Sequence, residues 1–334
     1  MLVIIAISMI VGLALSGATL TASKQFHKTD DRNKVTDVAE MGIAYYQTLV
    51  NQLVVKAEEA ATKKTAIDVK TQIDQEMLQH KSRLITDAQI VLTYNRSFCE
   101  KFKQLQQESL AANTNFKKIN DQTYESNFFT VEGENKYKVT ANIVATCTDA
   151  ESFPVTFEST GKTANENMTL SGNFVVAKSN ILNRIGEQGP NLSVFSLINQ
   201  LDLQLTGNDV LSTNIIALLN GTLLGNTFLS ITNEAYIKIL NLSGNAGLLV
   251  QGDTIFDSLS MGGNGTLIVF GDVFFKTGID TLNGDAFDVC IIGNTYLVDS
   301  NNTLQPLPNY SNLRNVCGKG SWGIDPENGI NVTY

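Results

Sequence analysis

The chain has 334 residues, with 17% charged residues, 25 glycines and four cysteines. Residues 1–125 carry 15 Lys and Arg against 14 Asp and Glu, a net +1, and residues 126–334 carry 9 against 19, a net −10. An acidic distal half excludes nucleic acid as a partner, because a nucleic-acid surface needs a basic face. It suits a solvated, extracellular exterior.

The chain opens with "MLVIIAISMIVGLALSGATLTAS", which has no charge before Lys24. As a helix it would be roughly 34 Å long at about 1.5 Å per residue, enough for a hydrocarbon core of about 30 Å. Gly12, Ala14, Ser16, Gly17 and Ala18 give it a small-residue face for close helix packing. The expectation is a transmembrane or filament-core helix over 1–23. A cleaved signal peptide, with "SGATLTAS" as its cleavage region, is the rival. Lys24, Lys28 and Arg32 follow the span with nothing basic before it, which on the positive-inside rule alone points the bulk of the chain inward. The cysteines and the Asn-rich distal part point outward. A short basic leader before Met1 would reconcile them, giving a single-pass membrane protein with its bulk outside the cell.

From Thr29 the pattern becomes helical. Val35, Val38, Gly42, Tyr45, Leu49 and Leu53 fall three and four apart, one stripe on a helix. No proline interrupts residues 1–62, so this helix and the apolar opening could form one rod. A second helical pattern covers about 65–112, through Ile67, Ile73, Met77, Leu84, Ile85, Ala88 and Leu92. Together these give a helical stalk over 24–125.

The apolar opening followed by "KVTDVAEMGIAYYQTLV", with Ala39-Glu40-Met41-Gly42 inside it, resembles the N-terminal region of PilX-type type IV pilins, especially pilin-like proteins of Gram-positive bacteria. The resemblance covers about a sixth of the chain. It implies a subunit whose apolar helix packs against other pilin-like subunits in a filament core and is stored in the membrane beforehand. Major pilins carry a glutamate at the fifth mature position, where this chain has Ile5, and the prepilin leader is missing. A minor subunit fits better.

Four cysteines, with no CxxC pair and two histidines in all, do not make a zinc set. They suggest two disulfides in an oxidising compartment, paired by proximity as Cys99 with Cys147 and Cys290 with Cys317. Free buried thiols are the alternative. Alternation in "NKYKVTANIVATC" and "FPVTFEST" predicts a small antiparallel sheet over 126–168.

Beyond Thr169 a glycine, a small polar residue and an apolar run recur at Gly172, Gly207, Gly225, Gly252, Gly271 and Gly293. The intervals of 35, 18, 27, 19 and 22 residues approximate one or two coils of a parallel β-solenoid over 169–334, with glycine at the corners. An irregular β-sandwich is the alternative, but its turns would fall every 8–12 residues. The texture resembles bactofilin-like and other right-handed β-helical proteins. The fold class read from the chain is α+β: a long N-terminal helix, a small antiparallel sheet and a C-terminal solenoid.

No cofactor is implied. "GKGSWG" (318–323) fits GxGxxG without the following helix that a dinucleotide needs. "GGNGTLIVF" (262–270) has Leu267 where a calcium-roll aspartate belongs. Asp253 and Asp272 hold the same repeat position and would stack as a carboxylate pair. That pair serves either as turn caps or as the acid and base of a polysaccharide lyase or hydrolase. Nine Asn-x-Ser/Thr sequons follow from an Asn- and Thr-rich surface. The expected function is a non-enzymatic, surface-displayed pilus-like minor subunit with an adhesive, tip or spacer solenoid, its partners glycans or host or abiotic surfaces. The alternatives are a membrane-anchored carbohydrate-active β-helix protein and a self-assembling scaffold.

Overall fold

The computed structural model describes residues 2–78, 86–148, 150–178, 184–191, 201–214, 216–276, 288–307, 317, 321–325 and 330–333, with backbone alone for 2–22, 201, 216 and 288. Two helices lead: α1, Leu2–Leu78, and α2, Asp87–Ala112. Thr86 caps α2 by accepting from the Gln89 N–H at 3.3 Å while the Gln89 side chain accepts from the Thr86 N–H at 3.1 Å. The apolar opening and the charged stretch after it are one helix, as the missing proline allows. The second helical pattern expected over about 65–112 is divided, its first part continuing α1 to Leu78 and its last part forming α2, and Ile67, Ala88 and Leu92 of its stripe are exposed. Residues 79–85, Leu84 and Ile85 included, lie outside the described residues.

The single-pass membrane placement has to be corrected. Among the described residues no helix is long and apolar enough to cross a membrane. The helix that starts at Leu2 continues without a stop into Lys24, Lys28, Asp30, Asp31 and Arg32, which are charged, and then into an amphipathic stretch. Residue 1 and the side chains of 2–22, on which that expectation rested, lie outside the described residues.

Six strands follow: β1 (Phe116–Asn120), β2 (Thr123–Ser126), β3 (Phe129–Glu132), β4 (Asn135–Asn142), β5 (Ser152–Lys162) and β6 (Asn167–Lys178). They form an antiparallel sheet in the order β1-β2-β4-β5-β6, with β3 on β4. β5 alternates strictly between exposed and buried residues over most of its length, so one face is solvated and the other lies on α1. Two expectations from the sequence change here. The sheet begins inside the expected stalk and extends past 168. Gly172 is no solenoid corner: it sits in β6, pairing antiparallel with Phe157 and Val332.

Helix and sheet approach closely where the pilin-like motif lies. A Cβ on Gly42 would strike Ser159 Oγ, and one on Gly161 would strike the Val35 carbonyl oxygen. Ser159 Oγ donates to the Ala39 carbonyl at 2.6 Å. Ala39 and Gly42 are thus the small residues that let α1 lie on β5, while Glu40 faces outward. Gln106 of α2 ties the layers further. Its amide donates to Tyr46 OH at 2.9 Å and to the Asn142 carbonyl at 3.0 Å, and its oxygen accepts from Val144 N–H at 3.1 Å.

The solenoid comprises β7 (Leu201–Leu205), β8 (Val210–Thr213), β9 (Ile216–Gly225), β10 (Phe228–Ile231), β11 (Ala235–Gly244), β12 (Gly247–Val250), β13 (Thr254–Met261), β14 (Thr266–Val269), β15 (Val273–Phe275), β16 (Asp288–Ile291), β17 (Thr295–Val298) and β18 (Leu304–Pro306). Odd strands β7 to β17 stack in parallel in one sheet, and even strands β8 to β16 in another. β18 closes the first sheet antiparallel to β17. The sandwich alternative is not needed. The chain then returns: β19 (Trp322–Ile324) and β20 (Ile330–Thr333) both pair with β6 of the antiparallel sheet.

The two solenoid sheets differ in what covers their outer faces. Leu229, Leu248, Leu267 and Val289 are in register and fill the solenoid interior. Their neighbours Phe228, Leu249, Ile268, Phe270, Cys290 and Ile292 point the other way and join one buried cluster with α1, α2 and the antiparallel sheet. The helices are therefore a middle layer, with the antiparallel sheet on one side and the even-numbered solenoid strands on the other. The odd-numbered sheet instead turns Asn220, Asn241 and Ser258 to solvent.

The glycines sort into two corner columns, a distinction absent from a single repeat. Gly207, Gly225, Gly244 and Gly263 all take positive φ, +76, +84, +78 and +67°. The asparagines that follow form a side-chain ladder, Asn264 to Asn245 at 3.0 Å, Asn245 to Asn226 at 2.8 Å and Asn226 to Asn208 at 3.0 Å. Gly252, Gly271 and Gly293 form the opposite column. The 27-residue interval from Gly225 to Gly252 crosses from one column to the other; within a column the ladder bonds run 18 or 19 residues.

Both disulfides pair as proximity suggested, Cys99 with Cys147 and Cys290 with Cys317. The first closes a separation of 48 residues and pins α2 to the segment after β4. Replacing both of its cysteines by serine is expected to cost about 4 kcal/mol through regained chain entropy. Urea denaturation under non-reducing conditions measures it.

Candidate functional site at the helix and solenoid junction

The Gly252 column faces α1 across a cavity of about 590 Å³. Glu58, Glu59 and Lys63 line it from α1, Tyr94 from α2, and Glu234, Asp253 and Asp272 from successive corners. Coil stacking creates the acidic side. Residues 19 apart are brought one above the other, so a Gly-Asp corner repeated at 252 and 271 places Asp253 against Asp272.

Each corner aspartate caps the next coil. Asp253 Oδ1 accepts from the Asp272 N–H at 2.9 Å, and Asp272 Oδ1 accepts from the Asn294 N–H at 2.9 Å. Asn294 then donates to Ser321 Oγ at 3.1 Å. The second oxygens meet Arg184, whose Nη1 lies 3.1 Å from Asp272 Oδ2 and 3.9 Å from Asp253 Oδ2. The same guanidinium bonds Glu187 through Nε at 3.2 Å and stands 5.2 Å from the centre of the Phe274 ring.

On the helix side, Glu58 Oε1 accepts from the Trp322 backbone N–H at 3.1 Å and lies 3.5 Å from Tyr94 OH. Trp322 stacks on Phe98 with centroids 4.0 Å apart and planes 7° from parallel. Lys178 Nζ sits 4.6 Å above the Tyr94 ring. Burial pushes the Glu58 carboxyl up to about 7, against the Trp322 N–H that favours the ionised form; the nearby Asp272 charge pushes the same way as burial. Burial and then the Asp272 charge raise Asp253 to about 6, and Arg184 only partly opposes them. Burial also raises the Tyr94 hydroxyl well above its ordinary value.

Two carboxyls that hold protons near neutrality are suited to proton transfer. Here one oxygen of each accepts from a backbone N–H, that of Trp322 for Glu58 and that of Asp272 for Asp253, and Arg184 faces the second oxygen of Asp253. Histidine brings nothing from His27, which is exposed on α1; His80 lies outside the described residues. Among the described residues one group has metal-like spacing, Asp87 with Cys290 and Cys317. Both sulfurs are in a disulfide, so that set offers no thiolate. Leu267, in the calcium-roll-like stretch, is solenoid core. Residues 318–320 of the GxGxxG run lie outside the described residues. The sequon at Asn95 is buried in α2, and the one at Asn309 lies outside the described residues.

Sequence reasoning reached Asp253 and Asp272 but missed Glu58, Tyr94, Arg184 and Trp322. A signal for Glu58 existed. It lies beside Ala57 on the edge of the buried stripe Leu53, Val54, Ala57 and Ala61, where a carboxylate borders an apolar face. No protein family, no curated protein and no solved structure matches this chain.

Proposed function

We propose that the protein is a non-enzymatic filament subunit of the minor pilin kind, with the solenoid as its displayed, adhesive surface. The observation that carries this reading is the division of labour along α1. From Val35 onward the helix is gripped by the sheet and the solenoid. Residues 23–30 are all exposed, and Phe26 is 76% exposed. A helix gripped from Val35 onward and exposed over 23–30 suits packing against the helices of other copies. The flat polar face carrying Asn220, Asn241 and Ser258 suits hydrogen bonding to glycans or other polar surfaces. Two disulfides support an oxidising compartment. The capping bonds of Asp253 and Asp272 support a structural role for these residues over a hydrolase or lyase.

Placing a photo-crosslinking phenylalanine analogue at position 26 of the full chain tests the assembly. A filament subunit yields products joining position 26 to α1 of another copy, mapped by mass spectrometry. Crosslinks confined to the same chain, or none, would sink the reading, and crosslinks to solenoid strands would favour the scaffold alternative.

A further inference from the structure

We propose that the junction between α1 and the Gly252 column is a proton-operated clasp, closed when Glu58 and Asp253, on opposite walls of the cavity, are protonated and loosened when they ionise. The charge inventory motivates it. Glu58, Glu59, Glu234, Asp253 and Asp272 line the cavity, against Lys63 alone as a lining cation among the described residues. Lys63 is bonded to Glu59 at 2.6 Å. Beyond the lining, Arg184 bridges Asp253 and Asp272 from the segment before β7, and Lys178 of β6 lies over the Tyr94 ring. Ionised Glu58 therefore meets the Asp272 charge across the gap, and ionised Asp253 meets the same charge beside it, so each ionisation adds repulsion at the junction.

The clasp also has a moving part with defined attachments. Glu58 holds the backbone N–H of Trp322, the first residue of β19, where the chain leaves the solenoid and rejoins the antiparallel sheet. Ser321, one residue earlier, is held by Asn294 of the corner column. Changes in the Glu58–corner repulsion thus act directly on the return strand.

The direction follows from linkage. Glu58 and Asp253 bind protons more tightly folded, at about 7 and about 6, than unfolded, where the ordinary values are 4.5 and 3.8. Their contribution is fully present below the unfolded values and is lost as pH rises through 6 and then 7. The junction is tighter at pH 5 than at pH 8.

The chain has one tryptophan, Trp322, which reports on the junction. Between pH 5 and pH 8, its emission is expected to shift to the red with a midpoint between 6 and 7. Exchange of the Trp322 amide, corrected for intrinsic rate, is expected to rise at least tenfold. Glu58→Gln removes most of both changes, Asp253→Asn removes part, and 0.5 M salt at pH 8 partly restores the closed signal by screening. Should Glu58→Gln fail to fold, Asp253→Asn and the salt series decide on their own. Emission and exchange that stay flat from pH 5 to 8, or changes that persist undiminished in the variants and in salt, would overturn the proposal.

Discussion

Phe228→Ala is expected to lower the stability of the whole protein by about 3–5 kcal/mol, the cost of emptying a large, fully buried aromatic site. Phe228 belongs to a solenoid strand, yet its ring does not point into the solenoid. Leu229 and Ile231 do that, while Phe228 joins the cluster built around α1 and α2. Its ring lies over Gly247 of the next strand, where a Cβ would stand 2.5 Å from Cδ2, so the neighbouring coil leaves a slot for it. Were the solenoid a free-standing spacer, Phe228 would be a surface residue and its truncation would fall within about 0.5 kcal/mol. Ile239→Ala is the matched control. It lies on the uncovered outer face of the odd-numbered sheet, 37% exposed, and should cost little. Equilibrium denaturation in urea measures both. Near-equal losses would mean the solenoid flank does not depend on the helices.

That layering was written in the chain, in a form that is easy to pass over. β11 of the odd-numbered sheet carries both kinds of residue: Ala235, Ile237, Leu240 and Leu242 are buried, and Lys238, Ile239, Asn241 and Ser243 are exposed. The middle even-numbered strands β12 and β14 read as unbroken apolar runs, "GLLV" and "TLIVF", and are buried on both faces. Unbroken runs need a cover on the second side, and the long amphipathic α1 with α2 supplies it. The first helix, the alternating strands β4 and β5, the solenoid and the cysteine pairs were legible because each rests on local period or spacing, whereas the stripe read for the second helix put the exposed Ile67, Ala88 and Leu92 on its apolar face. The return of β19 and β20 to β6 was not, since it joins residues about 150 apart without any local pattern. Gly172 misled for a related reason. Gly-Asn-Phe-Val reads alike at a solenoid corner and in a strand where glycine admits a neighbouring backbone, here the Asn331 carbonyl. The candidate site was half legible. Repetition exposed Asp253 and Asp272, but only the folded layers bring Glu58 and Arg184 to them.

Gly271→Ala is expected to cost about 3 kcal/mol, the upper part of the usual overpacking range, and Gly225→Ala less, for different physical reasons. None of Gly252, Gly271 and Gly293 takes a positive φ, so alanine meets no backbone strain there. What it meets is the coil before. A Cβ on Gly271 would press on the Gly252 carbonyl carbon and stand 2.5 Å from the Asp253 nitrogen. These are backbone atoms and cannot swing aside. The coils would have to part, straining the Asp272 N–H to Asp253 bond of 2.9 Å and the Thr254 N–H to Asp272 carbonyl bond of 2.8 Å. At Gly225 the limit is conformational. Its φ is +84°, and a Cβ would stand 3.0 Å from the Gly207 carbonyl oxygen, a tight but smaller intrusion. Left-handed backbone costs an ordinary residue about 1–2 kcal/mol, and asparagine tolerates it better than alanine. The two columns therefore separate by a second substitution. Gly225→Asn should be milder than Gly225→Ala, whereas Gly271→Asn should be no milder than Gly271→Ala, because its Cβ takes the same forbidden space. Thermal melts of the four variants test the ordering. Relief by asparagine at position 271 would show that its column needs backbone freedom rather than room.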